Sequence, residues 1–202
     1  MRTAAFRVLL AATSILLAGA LNGCMNVTHE RDISAGINGG FEIVRSGVPV
    51  NWIIQRNTFN EEDAEISIDT TDKVEGKQSL RFAVHSFGPF SESREWSLAQ
   101  VLPAESLRTY RVSFWLKNRG CTEVTRVYRT LQYQAWGPGM ETLGEAEMGT
   151  DTWRQFEFTH TIPAKGSDIR FTLGISQACT LWIDDVRIEE VHTDSGRSKG
   201  PS

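Results

Sequence analysis

Only three cysteines and four histidines occur in the 202 residues. Cysteine this sparse excludes a disulfide-dense miniature scaffold, and none lies in a CxxC, which argues against redox-active and zinc-ribbon roles. His29, His85, His160 and His192 are scattered at spacings that define no ligand set. There is no HExxH pair and no phosphate-gripping glycine loop. Basic residues do not exceed acidic ones (21 against 25) and form no local cluster, so a nucleic-acid surface is not expected. After the first 23 residues no segment sustains a helical period over three turns, and no internal repeat is visible.

What is present begins at the N-terminus. Arg2 and Arg7 precede an apolar run, Val8 to Ala20, that is shorter than a spanning helix requires. It ends in Leu21-Asn22-Gly23-Cys24, which resembles the lipobox of bacterial lipoproteins. The resemblance implies cleavage before Cys24, lipid on that cysteine, and a membrane tether without a spanning helix. Met25 follows, not the Asp that favours inner-membrane retention in the Gram-negative pattern, which implies an outer-membrane or cell-surface location. An ordinary secretory signal or N-terminal anchor is the alternative. Residues 24–36 read as a tether, 37–191 as one domain of 155 residues, and 192–202 as a disordered tail. Without the leader, 19 basic residues stand against 25 acidic, a balance of −6. With Cys24 taken by lipid, Cys121 and Cys179 remain, an even pair that reads as a disulfide between strand ends.

The middle of the chain reads as all-β. Leu80, Phe82 and Val84 alternate with Arg81, Ala83 and His85; Tyr110, Val112, Phe114 and Leu116 alternate with Arg111, Ser113, Trp115 and Lys117. Val127 to Trp136 alternates again, setting Tyr128, Gln132, Gln134 and Trp136 opposite Val127, Leu131, Tyr133 and Ala135. Phe156, Phe158 and His160 form an inward set, as do Ile169, Phe171, Leu173 and Ile175. Gly and Pro punctuate these runs, and so many short strands predict a β-sandwich or jelly roll. The closing strand, Thr180 to Glu189, carries Asp184 and Asp185 side by side, which predicts a kink there.

Several stretches in order resemble the carbohydrate-binding modules with the galactose-binding-like jelly roll. They are Asn38-Gly39-Gly40-Phe41-Glu42, Pro49-Val50-Asn51-Trp52, Gly76 to Phe82, Tyr110 to Lys117, Trp153 to Phe156, and Leu181 to Val186. The likeness spans residues 37–190 and implies the fold far more than the ligand. It also implies a structural calcium, held by Glu42 with Asp184 or Asp185 and completed by backbone carbonyls. A bland reading stands beside it, in which the two aspartates hydrogen-bond a turn or pair with Arg187.

Binding a sugar takes flat apolar faces for its C–H bonds and amide or guanidinium groups for its hydroxyls. Tyr128, Gln132, Gln134 and Trp136 supply both on one expected strand face. Trp115 and Arg111 are placed as extensions of that groove, and Trp96 at a loop edge. Trp52, Trp153 and Trp182 match packing positions. Glu145 and Glu147 share one face of a possible strand, and Glu61, Glu62, Asp63 and Glu65 crowd an expected loop; neither group forms the facing pair that glycoside hydrolysis needs. The expected protein is a non-catalytic, lipid-anchored module that binds polysaccharide or oligosaccharide. The alternative is an envelope structural or protein-interaction module with a protein partner and no sugar site.

Overall fold

The computed structural model describes residues 31–56, 64–86, 96–129, 140–175 and 177–192, with side chains omitted at 55–56, 96–97, 125–129, 140–142 and 145. A single 3-10 turn, Ile33–Ala35, opens it. Twelve strands and one helical turn follow: β1 (Val44–Arg45), β2 (Val48–Pro49), β3 (Ile53–Arg56), β4 (Ala64–Asp69), β5 (Ser79–Val84), β6 (Trp96–Pro103), β7 (Thr109–Arg119), β8 (Glu123–Arg129), β9 (Met140–Gly144), α1 (Glu145–Met148), β10 (Trp153–Thr161), β11 (Asp168–Ile175) and β12 (Cys179–Glu190). Apart from the β1–β2 hairpin they form two antiparallel five-stranded sheets, ordered β10-β7-β12-β5-β4 and β3-β6-β11-β8-β9. The fold is a β-sandwich of jelly-roll type.

The period of two, read along the chain, is what packs the sheets together. Leu80, Phe82 and Val84 of β5, Val112, Phe114 and Leu116 of β7, and Ile169, Phe171, Leu173 and Ile175 of β11 all belong to one buried cluster. Phe114 sits at its centre. Its ring lies 5.2 Å from Phe171 across the sandwich and 5.7 Å, stacked, from Phe156 on the neighbouring strand. Burying such a side chain stabilises by about 1.5–3 kcal/mol, and each aromatic pair adds about 1 kcal/mol. Trp52 closes the entry side, 5.1 Å from Phe41 and 6.1 Å from Phe171, with its indole N–H given to the Asn38 carbonyl.

The kink expected at the acidic pair is a β-bulge. Asp184 stands opposite Trp115 while Arg187 stands opposite Ser113, so β12 carries one extra residue there. Asp185 absorbs it with φ 48°. The consequence is a change of phase: Leu181 and Ile183 point inward before the bulge, Val186 and Ile188 after it. Without the extra residue Asp185 and Arg187 would occupy core positions. Gly39 locks the bulge, because its carbonyl accepts from Val186 N–H at 3.1 Å and a Cβ there would lie 1.8 Å from the Val186 oxygen.

Cys121 and Cys179 form the expected disulfide, with Cα atoms 5.0 Å apart, joining the end of β7 to the start of β12. Residues 31–36, expected as tether, are instead bound to the domain. Asp32 N–H donates to Asn51 Oδ1, and Asn51 Nδ2 donates to the carbonyls of Asp32 and Gly36. Strands β3, β4, β6 and β9 are not among the expected ones, although β4 alternates Ala64, Ile66 and Ile68, packed against the core, with Glu65, Ser67 and Asp69. Glu145 and Glu147 lie on the helical turn α1, not on a strand, and Glu65 is in β4.

Candidate functional site

The second sheet turns one face away from the core, and its register defines rows across all five strands. One row runs Ile53–Ala99–Thr172–Val127–Met140 and the next Gln55–Ser97–Gly174–Thr125–Thr142. Val101, Arg170 and Arg129 continue the face on the three central strands. At the centre of these rows β6 and β11 place Ala99, Thr172 and Gly174, with Val101 and Arg170 beside them. Ala99 is 0% and Thr172 6% exposed although both lie on the face turned from the core.

The expected residues do not all gather here. β8 ends at Arg129, so Gln132, Gln134 and Trp136 lie outside the described residues. Within β8, Tyr128 stands in register with Phe171 and Val127 with Thr172. Trp115 and Arg111 belong to β7, in the opposite sheet, and cannot extend a groove on β8. Arg111 is exposed and paired with Glu157 at 3.3 Å. Trp96 opens β6 in register with Ile175 and Arg56.

The outer face of the first sheet carries a network that alternation alone does not reveal. Trp153, Lys117 and Trp182 form a row across β10, β7 and β12. The turn after β4 folds over this row. Asp69 accepts from the Trp182 indole at 2.9 Å, and Asp72 accepts from the Trp153 indole at 2.9 Å and from Lys117. Lys117 and Arg119 each lie 5.3 Å from the Trp182 ring. Burial works against the Asp69 charge, but hydrogen bonds from Thr71, Trp182 and the Thr71 and Asp72 amides outweigh it and hold its pKa far below the usual carboxylate range. The signal for this arrangement was the Asp-Thr-Thr-Asp run at 69–72, an Asx-turn pattern.

The acidic group of the closing strand divides. Asp184 is fully buried and accepts from the backbone N–H groups of Val74, Glu75 and Asp185 at 2.8, 3.1 and 2.8 Å. Burial nevertheless pushes its pKa up. Asp185 pairs with Arg187 at 2.7 Å, and Arg187 reaches Glu75. Glu42 accepts from Lys77 N–H at 2.7 Å. A Cβ on Gly40 would meet Glu42 Cγ at 3.7 Å and Asp184 Oδ1 at 3.9 Å, so these two carboxylates flank one glycine. The carboxylates of Glu42 and Asp184 are hard oxygen donors of the kind calcium takes, but that of Asp184 already accepts from three N–H groups, and Asp185 is taken up by Arg187. Among the described residues no three acidic, histidine or cysteine side chains could hold an ion together, so backbone carbonyls would have to complete a shell.

No protein-family model and no curated protein sequence matches the chain. Solved structures do. The enzymatically active domain of bacteriophage CBA120 tailspike protein 4 is similar over 76% of this chain, with 16% identity and a TM-score of 0.57, but the match spans only 21% of the tailspike chain. A CBM4 carbohydrate-binding module is similar over 76% of this chain and 98% of its own, at 18% identity and TM-score 0.53. TmCBM61, solved in complex with β-1,4-galactotriose, matches over 76% and 96% at 17% identity and TM-score 0.51. At such identities the likeness is one of fold, and the fold is the β-sandwich of carbohydrate-binding modules.

Proposed function

We propose that this protein is an exported, lipid-anchored, non-catalytic module that binds a polysaccharide or oligosaccharide across the outward face of the β3-β6-β11-β8-β9 sheet. The observation that carries the reading is the pair of five-strand rows on that face, with Ala99 and Thr172 at the centre of one and Gly174 at the centre of the next. Thr172 and Arg170 on β11 offer hydroxyl and guanidinium groups to a sugar's hydroxyls. Gln132, Gln134 and Trp136 follow β8 directly in sequence and supply the flat aromatic and amide groups at its end. Lipid on Cys24 holds the module at the outer membrane or cell surface. Calcium at Glu42 and Asp184 serves structure, neutralising two carboxylates beside the bulge.

The test is affinity electrophoresis of the protein through gels containing defined polysaccharides. Retardation by one class, lost in Trp136→Ala with Gln134→Ala and in Thr172→Trp while melting stays cooperative, supports the reading. Mobility unchanged by every polysaccharide sinks it. The burial of Ala99 and Thr172 also favours a second reading, an envelope interaction module whose outward sheet face is closed. That reading expects a specific protein recovered from membranes and no glycan retardation.

A further inference from the structure

Among the described residues, five large apolar side chains are exposed, and three of them fall within 16 residues at the point where the chain enters the domain: Ile33 at 89%, Ile43 at 40% and Val48 at 41%. Isolated exposed apolar residues need no explanation, but these three lie on segments that are tied to one another. Asp32 caps the turn that carries Ile33, accepting from Ser34 N–H, and pairs with Arg45. Arg45 stands in register with Val48 across the β1–β2 hairpin, and Ile43 shares its face two residues away. Asn38 clamps Ile43 from both sides, donating to its carbonyl at 2.8 Å and accepting from its N–H at 3.0 Å. The Asp32 charge within the group is offset by Arg45.

We infer that Ile33, Ile43 and Val48 form a membrane-contact surface that seats the domain on the lipid bilayer. The occupant follows from chain length. Six residues separate Cys24 from Arg31, and the seven steps between them span at most about 25 Å, so a lipid on Cys24 keeps this face within reach of the headgroup layer. The lipid holds the chain at the bilayer, and a contact of modest apolar area sets which face of the domain rests on it. The inference rests on lipidation of Cys24.

The test uses the full lipid-bearing protein in phosphatidylethanolamine–phosphatidylglycerol vesicles. An environment-sensitive fluorophore is placed through Ile33→Cys or, as control, through Leu107→Cys, which is 69% exposed on another part of the surface. Mass spectrometry first establishes the lipid on Cys24. With lipid present, quenching by nitroxide lipids at position 33 and not at 107 is the expected result. Equal quenching at both positions, or none at 33, overturns the contact surface and leaves the anchor standing. A protein without lipid on Cys24 overturns the anchor and this inference with it.

Discussion

The indole N–H of Trp182 donates to Oδ2 of Asp69 at 2.9 Å, linking the closing strand β12 to the turn after β4, 113 residues earlier. Trp182 itself is 4% exposed although it points away from the core. Together with the bonds that Asp72 accepts from Trp153 and Lys117, the Trp182–Asp69 bond holds the turn over the row of Trp153, Lys117 and Trp182, and the same segment brings the N–H groups of Val74 and Glu75 to Asp184.

Trp182→Phe removes that donor and leaves Asp69 partly unsatisfied, at a cost of about 1–3 kcal/mol at pH 7. Because the folded pKa of Asp69 is depressed, its stabilisation is complete above 3.8 and is lost as the pH falls below that value. Urea titrations at pH 7 and pH 3 measure both effects, and the variant should lose less on acidification than the parent.

Breaking the Cys121–Cys179 bond by double replacement with Ser releases a loop of 58 residues. Loop-closure entropy puts the loss at about 4 kcal/mol. Denaturant midpoints of parent and variant check it.

Gly39→Ala places a methyl against the Val186 carbonyl, and backbone has no rotamer by which to yield. The bulge must shift, costing on the order of 3 kcal/mol, and the domain should melt accordingly. Gly36→Ala has open space around it and serves as comparison, carrying only the strain of its φ of 56°.

If calcium is held by Glu42 and Asp184 as proposed, the melting temperature rises with calcium concentration, because the ion would bind only the folded chain. Calorimetry with calcium and with chelator should differ for the parent and coincide for Glu42→Gln. A parent indifferent to chelator removes the ion from the reading.

Burial lowers the pKa of His160 from 6.5. The unfolded chain then binds the proton more readily, so stability is full above 6.5 and declines as the pH falls from 6.5 towards the folded value. Melting temperature between pH 8 and 5 should fall, and His160→Gln should flatten that slope.

Where one face of a strand meets the core and the other meets solvent, the sequence carries the answer in its alternation. Strands β5, β7, β10 and β11 were legible for that reason, and the bulge at Asp184–Asp185 was legible because two adjacent acids cannot both avoid the core in a straight strand. Strand β6 was not: Leu98, Ala99 and Gln100 are consecutive and all buried, which erases the period. Strand β4 does alternate, Ala64, Ile66 and Ile68 against Glu65, Ser67 and Asp69, but the acids at 61–65 drew its start into an expected loop.

The candidate site divides in the same way. By itself the sequence determined the sandwich, the Cys121–Cys179 staple and the polar-aromatic composition, because these depend on periodicity and on residue type. Tertiary structure alone decided that Trp115 and Arg111 stand on the sheet opposite to β8, that Asp184 is buried under Val74 and Glu75 while Asp185 turns to Arg187, and that Ala99 and Thr172 stand side by side on neighbouring strands. The physical reason is that which strand lies beside which, and in what register, is fixed by contacts between residues far apart in the chain, and no local pattern records them.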